Sequence, residues 1–335
     1  MRIRRAFYNR KGGMYRVRHP FPVINVGNLT VGGTGKTPHI EYLIRLLQDS
    51  HTLAVISRGY GRSTKGFYFA DHQSDSSTIG DEPMQIHQKF PSIPVAVSEN
   101  RVDGIAYIRR TLPETEVILM DDAYQYLQMK AGLNILLTEY SRLYTEDHVF
   151  PWGNLREDIQ AADEADAIIV TKCPSVLSRM HECSIIKKIQ PKAHQQIFFS
   201  HMSFLPIAPF NQAARQLPFE LKSVVLMTAI ANPQPLINYL KEQYKEFQML
   251  TFRDHHNFTP EDIRKMKKYL DRSLSPYKAV IVTEKDAMRL HDKKLSPMLK
   301  DTPIFTLPIK VEFYHKYKEA FHQFILNYVE KHSRS

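Results

Sequence analysis

At 335 residues with 43% hydrophobic side chains, the chain is long enough for about two lobes with real cores, and its formal net charge of +10 points to an anionic partner such as a nucleotide, a nucleic acid or an acidic membrane. Its two cysteines, Cys173 and Cys183, form no C-x-x-C pair, which argues against a disulfide framework or a zinc site and fits a reducing cytosol. The first 20 residues hold no apolar signal stretch, and no run approaches the ~18 apolar residues of a spanning helix, so any membrane contact is expected to be peripheral.

In chain order, the first 18 positions carry Arg2, Arg4, Arg5, Arg10, Lys11, Arg16 and Arg18 and no acidic residue. Phe7, Tyr8, Met14 and Tyr15 lie among them without forming a long apolar face. Such a stretch reads either as a solvated basic tail or as a contact for an anionic leaflet. Residues 22–27 are predicted as a first strand. Residues 36–48 are predicted as a helix, with Ile40, Leu43, Ile44 and Leu47 at i, i+3, i+4, i+7 spacing.

Between that strand and helix stand Thr30, Val31, Gly32, Gly33, Thr34, Gly35, Lys36 and Thr37. Glycines let backbone N–H groups turn inward around phosphate oxygens, and the following helix adds its positive N-terminal end. In such a loop Lys36 reaches the β/γ-phosphates and the Thr37 hydroxyl ligates Mg²⁺. The strict phosphate-loop pattern has Gly where Thr30 stands, the nearest upstream glycine being Gly27. The bland alternative is a Gly-rich turn of no chemical importance, against which the strand–turn–helix setting argues.

Further strands are predicted at 53–57, 95–98, 117–120, 134–137 and 167–171. The strand at 117–120 runs into Asp121 and Asp122. A carboxylate at a buried strand end beside a phosphate loop can hold Mg²⁺, although a strand-end Asp is also commonly just solvated. A segment rich in Pro and Phe, 204–219, interrupts the alternation and is taken as a boundary, giving lobes 1–205 and 206–335. Beyond it come a strand at 224–228, a helix at 235–242, a strand at 248–252, a helix at 260–270 and a strand at 279–283. A closing amphipathic helix is expected to carry Phe313, Tyr317, Phe321, Phe324 and Tyr328. Strands alternating with helices predict an α/β fold: a P-loop NTPase-like parallel sheet flanked by helices, with a second, smaller α/β lobe.

Beyond the phosphate loop, an ordered set of motifs resembles the tetraacyldisaccharide 4′-kinase (lipid A 4′-kinase) family. It comprises Val26-Gly27-Asn28-Leu29-Thr30, Lys36-Thr37-Pro38, Ser57-Arg58-Gly59-Tyr60-Gly61, Gly80-Asp81-Glu82-Pro83 and Asp121-Asp122-Ala123-Tyr124-Gln125. It continues with Asn154-Leu155-Arg156-Glu157, Thr171-Lys172-Cys173-Pro174, Phe252-Arg253-Asp254-His255-His256 and Thr283-Glu284-Lys285-Asp286. The family commonly has Gly-Phe where Ala123-Tyr124 stand, and a longer apolar N-terminal segment than the basic one here.

The resemblance implies transfer of the γ-phosphate of ATP, with Mg²⁺, to the 4′-hydroxyl of the tetraacyldisaccharide 1-phosphate precursor of lipid A, forming lipid IVA. It further implies a peripheral enzyme at the cytoplasmic side of a bacterial inner membrane, meeting an anionic membrane surface and no nucleic acid. It implies that Asp81 is the catalytic base, paired with His255 from a second lobe that contributes to the catalytic cleft, beside Lys36. Glu82, Asp121 and Asp122 become magnesium neighbours of Thr37. Read from the residues alone, Asp81 before Pro83 is equally a helix N-cap, and His255-His256 equally a capping or surface pair. Arg58, Arg101 and Arg156 are candidates for bidentate binding of substrate phosphate or for ordinary salt bridges.

Two other classes compete. A P-loop GTPase or assembly factor would share the phosphate loop, and Thr171-Lys172-Cys173-Pro174 stands where guanine readers place their lysine box, but without its final carboxylate. A nucleic-acid binder would explain the charge but not the phosphate loop.

Overall fold

The structure, a computed structural model, describes residues 16–217, 220–292 and 294–333. Arg2, Arg4, Arg5, Arg10, Lys11, Phe7, Tyr8, Met14 and Tyr15 lie outside the described residues. Among the described residues no helix is long and apolar enough to cross a membrane.

The chain divides into two compact units. The first holds a nine-stranded sheet in the order β14-β8-β7-β6-β1-β5-β2-β4-β3. At its centre β1 (Val23–Asn28) pairs in parallel with β5 (Val117–Asp121) and β6 (Leu133–Glu139), with Ile24 opposite Leu119 and Val26 opposite Ile135. Outward on one side come β2 (Leu53–Ser57), β4 (Val95–Val97) and the antiparallel β3 (Tyr68–Phe69). On the other lie β7 (Ala167–Thr171), β8 (Gln196–Phe204) and β14 (Ile309–Phe313). Every residue of β1, β2, β5 and β7 is buried. Parallel strands covered on both faces need such continuous apolar runs, which is why their sequences were readable without an alternating pattern.

The helix predicted at 36–48 is Lys36–Leu47, and it buries Ile40, Leu43, Ile44 and Leu47 in the core of this unit. Phe313 does not sit on the closing helix as expected. The run Ile309–Phe313 has period-2 burial with Val311 and Phe313 inward, and the helix begins only at His315. That helix, His315–Ser333, buries Phe321, Ile325 and Val329, four residues apart, against the same core. Phe321 stacks on Phe313 with ring centroids 4.3 Å apart, and the Tyr328 hydroxyl accepts from the Val23 amide at 3.1 Å. Lys310–Ser335 therefore belongs with the first unit, not with the second lobe expected at 206–335. Phe321→Ala is expected to cost about 3–5 kcal/mol, through lost apolar burial plus a residual cavity. The shift of the urea midpoint measures it.

The second unit comprises Ser74–Gln85 and Phe204–Ile309. Its five-stranded sheet runs β11 (Glu246–Thr251), β10 (Ser223–Thr228), β12 (Lys278–Thr283), β13 (Ile304–Leu307), β9 (Ala208–Pro209), parallel except for β9 against β13. The helices Gln234–Gln243 and Pro260–Asp271 lie close to the predicted bounds. The first packs Leu236, Ile237 and Leu240 against Val224, Leu226 and Ile281.

Candidate active site

In the first unit, β1 leads into the glycine-rich turn. Gly27 is required for packing, because a Cβ there would lie 2.6 Å from Tyr124 Cβ. Gly32 at φ 104° and Gly35 at φ 90° take the left-handed conformations that turn the loop. Gly35 occupies the N-cap of Lys36–Leu47 without a capping side chain, so the N–H groups that open the helix face the loop. Val31 N donates to Asn154 O at 2.8 Å, and Thr30 bridges to Leu155. Beneath the turn, Thr171 Oγ1 donates to Thr34 O at 2.9 Å. His39 Nδ1 lies 2.7 Å from Gly35 O and its Nε2 3.2 Å from Ser200 Oγ. Burial pushes His39 down to about 4. The neutral ring therefore donates from Nδ1 to the carbonyl.

Lys36 Nζ lies 3.3 Å from Asn28 Oδ1 and 3.6 Å from Asp122 Oδ2. Thr37 Oγ1 donates to Asp121 Oδ2 at 3.4 Å, and Asp121 sits at the buried end of β5, in register with Val26. The fit to magnesium rests on this pair. A hydroxyl and a carboxylate converge at the start of a helix, and Mg²⁺ of nucleotide sites takes one or two such ligands plus phosphate oxygens and waters. No cage of three or more His, Cys, Asp or Glu exists among the described residues. The Thr34 hydroxyl, in the same loop, is buried without a hydrogen-bond partner among the described residues.

Asp122, at φ 54°, is committed differently from Asp121. Arg156 grips it bidentately, Nη1 to Oδ2 at 3.1 Å and Nη2 to Oδ1 at 2.8 Å. Burial pushes the Asp122 carboxyl up, but Lys36, Arg156 and Arg101 outweigh it and hold it below the usual carboxylate range. Arg101 is buried, donates to Glu99 O at 3.0 Å and lies over the Tyr126 ring at 5.2 Å. Desolvation, then the nearby charge of exposed Arg58, lowers its pKa. The structure thus gathers Lys36, Thr37, Asp121, Asp122, Arg101 and Arg156 around one strand end.

In the second unit, Asp81 begins the helix Asp81–Lys89 directly after Gly80 at φ 94°. Its carboxylate turns to the side chains of other segments. Arg289 donates to Asp81 Oδ2 through Nε at 2.8 Å and Nη2 at 2.6 Å, and His255 Nδ1 lies 3.5 Å from the same oxygen. Burial pushes Asp81 up, but hydrogen bonds from His255 and Arg289 and the charges of Arg289 and Lys285 hold it below the carboxylate range. His255 is itself at φ 59°, with its amide on Ala229 O at 3.2 Å.

The neighbouring His256 instead contacts the capping box of the next helix. Its Nε2 lies 2.9 Å from Asp262 Oδ2, and Asp262 forms the capping box of Pro260–Asp271 with Thr259. Glu82 Oε1 is paired with Lys285 Nζ at 2.8 Å. Arg289 escaped the sequence reading, although its side chain is only 3% exposed. The available signal was its i+4 spacing from Lys285 on the helix Glu284–Leu290.

A family model described as Tetraacyldisaccharide-1-P 4′-kinase matches residues 1–330. The chain belongs to that family. The Tetraacyldisaccharide 4′-kinase of Bacteroides thetaiotaomicron is 41% identical over 327 residues, covering 94% of this chain and 86% of its own length. That of Flavobacterium johnsoniae is 41% identical over 328 residues, covering 98% and 93%. The crystal structure of "apo" form LpxK from Aquifex aeolicus in complex with ATP superposes with TM-score 0.71 at 24% identity, covering 98% of this chain and 94% of that one, a likeness of fold. For this tetraacyldisaccharide-1-P 4′-kinase family member the expected P-loop α/β architecture holds, with the glycine-rich turn between β1 and its helix.

Proposed function

We infer that the chain is an ATP-dependent kinase that phosphorylates the 4′-hydroxyl of tetraacyldisaccharide 1-phosphate, giving lipid IVA. The observation that carries this reading is the family match over residues 1–330. Phosphoryl transfer asks a protein chiefly for positioning and charge neutralisation. The turn from Thr30 to Thr37 offers its N–H groups to the phosphates of ATP. Lys36 leaves Asn28 and Asp122 to reach the transferred group. Thr37 and Asp121 would hold the Mg²⁺ that accompanies ATP, which would supply neutralisation of phosphate charge. Arg156 fixes Asp122, while Arg58 and Arg101 supply positive charge for the acceptor's phosphate.

Asp81 orients the acceptor hydroxyl and takes its proton late in the transfer, as suits a carboxylate kept ionised; His255 steadies it. The test is incubation with γ-labelled ATP and the acceptor in detergent. Labelled lipid is the expected product. Hydrolysis without transfer, or preference for GTP, would instead support the GTPase or assembly-factor reading, which the family match does not favour.

The acceptor is multiply acylated, so we place the enzyme peripherally on the cytoplasmic side of the inner membrane. Arg16 does not serve that contact: it pairs bidentately with Glu164 at 3.0 Å through both terminal nitrogens, and Val17 donates to Gln128 O at 3.0 Å. The other cations of the first 18 positions are Arg2, Arg4, Arg5, Arg10, Lys11 and exposed Arg18. At about 1 kcal/mol each, not additive, they bind anionic vesicles strongly at low salt and weakly once the Debye length shrinks. Deleting residues 1–15 is expected to weaken vesicle sedimentation and leave ATP binding intact. Salt-insensitive binding unchanged by the deletion would assign docking to another surface.

A further inference from the structure

Around His255 the second unit builds more than an acid–histidine pair. Lys285 Nζ lies 3.1 Å from His255 Nε2, and the same ammonium is anchored by Glu82 Oε1 at 2.8 Å. We propose that Lys285 is a positioning residue that fixes the tautomer of His255, so that the ring's proton sits on Nδ1 and points at Asp81. This rests on the reading of Asp81 and His255 as the pair that prepares the acceptor hydroxyl.

The argument is one of donors and acceptors. A lysine ammonium has three donors and no acceptor, so His255 Nε2 must be the accepting nitrogen. The neutral ring then carries its proton on Nδ1, which lies 3.5 Å from Asp81 Oδ2. Of the other groups facing the ring, one agrees and one competes. Asp254 Oδ2 is 3.9 Å from Nε2, too far to draw a proton there. Arg289 Nη2, also a donor, lies 3.4 Å from Nδ1 and competes there, but that contact is longer than the 3.1 Å from Lys285 Nζ to Nε2, and the same nitrogen already donates to Asp81 Oδ2 at 2.6 Å. Without Lys285, either nitrogen can carry the proton, and in the alternative tautomer the lone pair of Nδ1 faces the Asp81 carboxylate.

Lys285 is also held from below. Asp286, fully buried, accepts from Thr228 Oγ1 and Thr283 Oγ1, each at 2.7 Å, and from the Ala229 amide at 3.1 Å. Ala229 O in turn accepts from the His255 amide. The helix Glu284–Leu290 and the His255 turn are thereby pinned to the same end of β10, which sets the Lys285–His255 spacing. His255 is thus aligned from both sides: by Lys285 at Nε2 and by the backbone at its amide.

The test is Lys285→Met, which keeps the stem and removes the donor, compared with Lys285→Arg, which restores a donor-only cation. Turnover of Lys285→Met is expected to fall about tenfold, a part of the ~10²–10⁴ that general-base assistance contributes. KM for ATP and the melting temperature should stay near wild type, and Lys285→Arg should recover most of the turnover. In ¹⁵N-imidazole spectra, with His255 assigned from its loss in His255→Gln, the Nδ1–H pattern should give way to a tautomer mixture in Lys285→Met. Unchanged turnover, or lost turnover with the Nδ1–H pattern intact, overturns the proposal. Asp81→Asn run in parallel separates the two levels: wild-type turnover there sinks the reading of the pair, whereas an inactive Asp81→Asn beside an unaffected Lys285→Met sinks only the role of Lys285.

Discussion

Asp81→Asn is expected to lower turnover by about 10²–10⁴-fold, the range general-base help contributes, with KM for ATP little changed. The substitution keeps the shape of the side chain and its ability to accept from Arg289, but removes the carboxylate proposed to receive the hydroxyl proton. If Asp81 and His255 act on one proton, as proposed, the double variant Asp81→Asn/His255→Ala should be little slower than the slower single. Fully multiplicative losses in single-turnover assays would show that the two act independently.

The same variant carries a stability signature with a defined sign. The folded Asp81 has a pKa below its ordinary value of 3.8. A depressed carboxylate stabilises the fold above its unfolded pKa, and the contribution is lost as pH falls through the lower folded value. Wild type should therefore exceed Asp81→Asn by roughly 1–3 kcal/mol at neutral pH, the scale of a hydrogen bond to a charged group. Denaturation midpoints of the two proteins should converge in acid, below about 3.8. A gap that persists there would mean that the loss arises from packing rather than from charge.

Lys36→Ala is expected to cost about 10²–10³ in turnover at saturating ATP, the usual loss when one electrostatic contact to a developing charge is removed. The resting contacts of Lys36, 3.3 Å to Asn28 and 3.6 Å to Asp122, are loose enough to be exchanged for phosphate oxygens. Asp122 keeps its bidentate partner Arg156, so the fold should survive, and an unchanged circular dichroism melt checks that. Lys36→Arg should not restore the rate, because a planar guanidinium cannot take the place of a compact ammonium in the loop. Near-normal turnover in folded Lys36→Ala would remove the phosphate loop from the mechanism.

Which features could be read in advance follows from how far apart their parts lie in the chain. The phosphate loop was legible because its glycines, Lys36 and Thr37 are consecutive and its flanking strand and helix have local periodicities. Buried parallel strands such as Leu53–Ser57 and Ala167–Thr171 were legible as short apolar runs. Tertiary structure alone decided the rest. Arg289 reaches Asp81 across 208 positions, and no local pattern encodes a contact of that separation. Only the turn that puts His255 at φ 59° decides that it, and not His256, faces Asp81. The closing helix belongs with the first unit because Phe321, Ile325 and Val329 find their apolar surface there. Its amphipathic pattern states that one face must be buried, while the partner surface is chosen by packing.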